Sequence, residues 1–246
     1  CRVTNSRLRF YSVLPAWPCS DVLCSDAATS HHLRHIVAIF YTLNVAYSSN
    51  YMKGLLVKIY SYRIFSEFML LYPLYMVMFS QRGGLSVLQI SLLLGIWSLI
   101  VLVAELPAGV LADRYSRKML LGIGQFIRAV GYVAWVFWPT FEGFLAGLAL
   151  WGVGQALASG TFEALVFDEL KALGKEARYA KVIGRSESLA MFVGLFATLL
   201  AAPVFAAGGY EAVLWASVAA AVISGAAAFT LPRQKQQELV EKTAYG

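Results

Sequence analysis

Residues Glu105 to Leu120 read ELPAGVLADRYSRKML. An apolar run carries a glutamate and a proline near its end, switches within a few residues to Asp113-Arg114 and Arg117-Lys118, and then turns apolar again. In a soluble fold such a switch is an ordinary surface turn. Between two apolar blocks of bilayer length it is a hairpin, returning the chain into the membrane it has just left.

Composition decides between the two. The chain of 246 residues is 59% hydrophobic and 14% charged, with a mean hydropathy of +0.64, whereas soluble domains are about 25% charged. The apolar residues come in blocks near or above the ~20 residues that cross a bilayer as a helix. The expectation is an all-α membrane protein. A net charge of +6 would suggest nucleic acid in a soluble chain. Here the basic residues gather in short connections between apolar blocks, where a cytoplasmic charge bias accounts for them, so no nucleic-acid partner is expected.

Six transmembrane helices are expected, from about Ile59 to Phe79, Leu88 to Ala112, Met119 to Trp138, Phe141 to Phe167, Val182 to Val204, and Ala212 to Leu231. Ser86 followed by Gln89 has the spacing of a capping box opening the second. Short connections make neighbours antiparallel. One set of connections carries Lys53, Lys58, Arg63, Arg114, Arg117, Lys118, Lys171, Lys175, Arg178, Lys181, Arg185, Arg233 and Lys235, against Arg82 alone on the other. That asymmetry places both ends of the bundle, and the hairpin between spans two and three, in the cytoplasm of a cell-membrane protein.

Asp113 closes span two, where the helix dipole disfavours a carboxylate, and two cations follow within a turn. A solvated turn whose charges only fix topology is one account. The full spacing supports another: GVLADRYSRK resembles the cytoplasmic signature G-x-L-A-D-R-x-G-R-K of the major facilitator superfamily, with Ser116 where the family usually has glycine. The preceding ELPAG resembles the family's E-x-P-x-G approach, and the resemblance covers roughly residues 55 to 235. It implies one six-helix bundle made of two three-helix inverted repeats, at residues 52–231, with solute held near the midplane between this bundle and a second. Residues 232–246 resemble the start of the family's central cytoplasmic loop, so the expectation is an N-terminal half whose partner is a missing C-terminal six-helix half or a second half-unit. The resemblance also implies a cytoplasmic gate formed by Gly109, Asp113, Arg114, Arg117 and Lys118. Asp113 would clasp the second bundle, Arg117 would balance its charge, and Gly109 would permit close helix approach. Serine at 116 in place of the family's glycine is expected to tighten the backbone options of the turn, because glycine alone tolerates positive φ freely.

Ionisable groups at membrane depth usually face a cavity or a partner. At 1.5 Å per residue Glu67 lies ~12 Å into span one and Arg128 about 14 Å into span three. They either line a cavity, as a substrate or proton site, or form an internal ion pair fastening two helices. Glu105, Glu163 and Glu187 fall within ~11 Å of the cytoplasmic ends and are expected at the inner gate. Gln155 in span four joins these five as a candidate cavity or coupling residue. Leu148 stands where many proton-driven members have an arginine before a G-x-G pair, and APVFAA (Ala202 to Ala207) keeps only Pro203 of the antiporter G-P-x-x-G-G pattern. Proton-linked efflux is thus a family habit without a motif here. Gly143 and Gly147 form a G-x-x-x-G pair that serves packing within the bundle or a dimer face.

Residues 1–51 begin with Cys1, hold all three cysteines and all three histidines, and contain an apolar stretch too short to span. They are expected to lie outside the fold, as an upstream extension, a gene-model artefact or a fragment end. Cys19, Cys24, His31 and His35 have zinc-ligand residue types, but the pairs stand closer than in typical sites, so no metal or other cofactor is expected. No histidine follows His35 to serve an intramembrane serine nucleophile, and no P-loop occurs, so neither that protease chemistry nor ATP-driven transport is expected. The expected function is not enzymatic: secondary transport of a small-molecule substrate across the bilayer by alternating access, with protons as a candidate coupling ion. A non-transporting truncated piece or half-unit is the alternative.

Overall fold

A computed structural model describes residues 50–232. The cysteine and histidine pairs considered for zinc, and the tail from residue 233, lie outside the described residues. Every regular element among the described residues is a helix: α1 (residues 50–67), α2 (Tyr75–Gly83), α3 (Val87–Arg114), α4 (Arg117–Phe137), α5 (Phe141–Ala158), α6 (Thr161–Ala172), a 3-10 turn at Glu176–Arg178, and α7 (Tyr179–Phe229). Among the described residues four stretches are long and apolar enough to cross a membrane: α3, α4, α5 with α6, and the stretch from Glu176 to the end of α7.

The first expected span is misplaced at its start. The chain is already helical at residue 50, with Met52, Leu55, Ile59 and Tyr62 buried at helical spacing and Lys53 and Lys58 on the opposite, exposed face. Those lysines ride a helix instead of occupying a loop. The helix then breaks over residues 68–74, where Pro73 lacks an N–H and biases Tyr72 away from helical dihedrals. The break is repaired from across the bundle: the buried Leu71 N–H donates to Ser217 Oγ at 3.3 Å, as backbone groups at membrane depth require.

Other boundaries follow local chemistry. Ser86 caps α3 in the expected box with Gln89. Ser116 opens α4 at φ −60°, ψ 122°, ordinary extended backbone, so serine fits this hairpin without the freedom of glycine. Gly160, at φ +68°, separates α5 from α6. Inside α7 only Gly208 and Gly209 leave helical dihedrals, with Gly209 at φ 64°, ψ −158°, a region open essentially to glycine. Beyond them the chain runs back. Arg63 of α1 meets Glu187 in the first part of α7, whereas Glu211, Ser217 and Ser224 of the second part meet Arg82, Leu71 and Tyr62 in reverse order.

Glycines set how closely α4 and α5 pack. A Cβ added at Gly131 would lie 2.8 Å from the Gly147 carbonyl oxygen, and one at Gly124 2.8 Å from that of Gly154. Gly143 and Gly147 face Trp138 and Trp135. The G-x-x-x-G pair thus packs inside the bundle. Three apolar clusters result among the described residues, a small one on Ala108, Leu120, Ala156 and Leu157 and two larger ones. Of the larger two, one is aromatic, built on Phe79, Tyr132, Trp135, Phe144 and Trp151. The other gathers Leu55, Ile59, Tyr62, Leu121, Phe162 and Leu165.

Candidate functional site

Between the two larger clusters lies a cavity of about 590 Å³, taking Met69 and Trp151 from the aromatic one and Tyr62 and Phe162 from the other. Its walls come from α1 and the break after it, α4, α5, α6 and the first part of α7, and they bring together Glu67, Arg128, Gln155, Glu163 and Glu187. Five of the six candidate cavity residues therefore share one space. Glu105 does not: it is exposed on α3 and absent from this wall.

Arg63 organises the cavity, although its position in sequence suggested only a topology charge. Its Nη2 donates to both carboxylate oxygens of Glu187, at 2.8 and 2.7 Å, and its Nη1 lies 3.2 Å from Glu67 Oε1 one turn along α1. The guanidinium carbon stands 5.4 Å from the centre of the Phe162 ring. Because α1 begins by residue 50, Arg63 sits 13 residues in, roughly 20 Å along the helix at 1.5 Å each. No ion pair joins Glu67 to Arg128, so the expected alternative of a fastening pair is replaced by the Arg63 triad.

Arg128 meets neutral groups. Its Nη1 donates to Gln125 Oε1 at 3.3 Å, and its Nη2 approaches Tyr132 Oη at 3.4 Å and Met69 Sδ at 3.5 Å. Gln125 in turn donates to Tyr62 Oη at 3.4 Å. Glu163, held just past the left-handed Gly160, has a buried Oε2 without a hydrogen-bond partner among the described residues. Arg63 Nε and Arg128 Nε, on residues of the same wall, are likewise buried without a hydrogen-bond partner among the described residues.

Arg117 reaches Asp168 on α6, Nη1 to Oδ2 at 2.7 Å, with about a fifth of each side chain exposed. This tie fastens the hairpin to α6. Asp168 went unrecognised because a lone aspartate near the end of an apolar run carries no spacing signal. Lys118 Nζ points to the Phe229 carbonyl at 3.5 Å, a cation at the C-terminal end of α7 where the helix dipole favours it. Asp113 and Arg114 are exposed. Gly109 has nothing within 4 Å of an added Cβ, so among the described residues no helix makes the expected close approach there.

A sequence profile described as Major Facilitator Superfamily matches residues 56–244, and the chain belongs to that superfamily. It is therefore an integral membrane protein with a helical bundle. A protein of Buchnera aphidicola subsp. Schizaphis graminum named as an uncharacterized transporter is 30% identical over 155 residues, 62% of this chain and 37% of that protein. An uncharacterized MFS-type transporter of Methanocaldococcus jannaschii is 32% identical over 84 residues, 34% of this chain and 22% of the relative. Another from Bacillus subtilis is 27% identical over 124 residues, 49% of this chain and 27% of the relative. The chain thus spans well under half the length of each relative it matches.

Proposed function

We propose that this chain is the N-terminal bundle of a secondary transporter that moves a small solute by alternating access, and that the cavity beside Arg63 is its share of the solute path. The carrying observation is a polar space of about 590 Å³, with charged walls, set between two apolar clusters of a membrane bundle. Ionisable groups at such depth mark a path more often than a fastening. Six crossings are proposed: α1 with α2, α3, α4, α5 with α6, and the two parts of α7, with the basic hairpins and both bundle ends in the cytoplasm. The exposed face of α3 around Gly109 and Asp113 is assigned to a facing element of a second bundle, with Arg114, Arg117 and Lys118 completing the cytoplasmic gate.

The test uses the protein expressed from its complete gene, with Cys1, Cys19 and Cys24 replaced by serine and Gly194→Cys introduced. Gly194 lines the cavity and has open space for a Cβ. Reaction with a membrane-impermeant maleimide from either face, in right-side-out and inverted vesicles, is the expected result. Reaction from one face only, under every ionic and pH condition, would refute alternating access. Solute flux that depends on an imposed pH gradient would add proton coupling.

A further inference from the structure

The cavity's charges do not cancel, and the surplus falls on one residue. Arg63 is engaged by Glu187 and Glu67, and Arg128 lines the same space. Two guanidiniums and two carboxylates therefore balance within one cluster. Glu163 remains. It lines the same space and, among the described residues, makes no ion pair and has a buried oxygen without a hydrogen-bond partner. A carboxylate with one oxygen shut off from water and no cation beside it favours a partner of opposite charge. The surrounding rings point the same way, for Tyr62, Tyr72 and Trp151 line the space and aromatic faces attract cations once water is displaced. An anion would enter a wall already negative by one charge, and a neutral solute would leave the carboxylate uncompensated.

We infer that the solute is a small organic monocation, with Glu163 as its counter-ion and the aromatic side chains as its cage. This rests on the transporter reading above and gives it a substrate class.

Four probes of nearly equal shape test it: choline (cation), 3,3-dimethylbutanol (its uncharged carbon isostere), glycine betaine (dipolar) and 3,3-dimethylbutyrate (anion). The readout is protection of Gly194→Cys from maleimide in the complete protein. Choline is expected to protect at a concentration at least tenfold below the alcohol, and the carboxylate least of all. Glu163→Gln should erase the cation's advantage and Glu163→Asp should keep it. Labelling of each variant without probe, at the parent rate, shows that the cavity is intact. Equal protection by choline and the alcohol, an advantage that survives Glu163→Gln, or no protection by choline overturns the assignment. Two-sided labelling without any probe tests the transporter reading separately, so either can fail alone.

Discussion

Gly154→Ala should unfasten α4 from α5, and the structure sets the scale. The added Cβ would lie 2.5 Å from the Gly124 carbonyl oxygen and 2.7 Å from Arg128 Cγ, against an ordinary contact of 3.4–4 Å. The helical carbonyl of Gly124 moves only with its helix, so α4 and α5 must part by about 0.9 Å to restore contact. Overpacking of that kind costs ~1–3 kcal/mol, set against a gain of about 1 kcal/mol from alanine's helix propensity. Gly194→Ala supplies the reference: it lies in α7 with nothing within 4 Å of the new Cβ, and so collects the propensity gain alone. The two variants should therefore differ by about 2 kcal/mol. Titration with SDS in mixed micelles, followed by far-ultraviolet circular dichroism, measures the difference as a shift in unfolding midpoint. Equal midpoints would refute backbone-to-backbone packing of α4 on α5.

Three other outcomes are expected. Arg63→Gln should destabilise the bundle more than Glu187→Gln, by about 1 kcal/mol, because the first strands two carboxylates while the second leaves Arg63 paired with Glu67; the same unfolding assay ranks them, and the reverse order would exclude Arg63 as the organising group. Asp113→Asn should slow solute flux in the complete protein with little loss of expression, and an unchanged rate would remove Asp113 from the gate. Tyr115→Cys, on the exposed turn between α3 and α4, should react with impermeant maleimide from the cytoplasmic face alone, and labelling only from outside would invert the proposed topology.

Legibility in the sequence followed the range of the interaction. The capping box at Ser86 and Gln89, the hairpin after Asp113, and the start of α5 at Phe141 are settled by residues within a turn of each other, and they stand where spacing put them, whereas the expected fourth span to Phe167 breaks at the left-handed Gly160. The start of α1 was lost because Lys53 and Lys58 look like a loop when counted along the chain, and like one exposed face when wound into a helix whose other face is buried. That error hid Arg63, which a later helix start makes shallow and the observed start makes deep. Asp168 was lost for a related reason: its partner Arg117 stands 51 positions earlier, beyond any periodic signal.

By itself the sequence determined the solvent, since a chain so apolar and so sparsely charged has to bury its blocks in lipid. It also carried the superfamily, through a hairpin signature that local geometry accommodates even with Ser116. Only the tertiary structure decided which charges meet. Glu163 and Glu187, expected at a gate, came to share one cavity with Glu67 and Arg128, while Glu105 stayed on an outer face. The reason is rotational as much as axial: distance along a chain fixes a residue's depth in the bilayer, but its azimuth is set by breaks at Pro73, Gly160 and Gly208-Gly209 and by glycine contacts that no single helix contains.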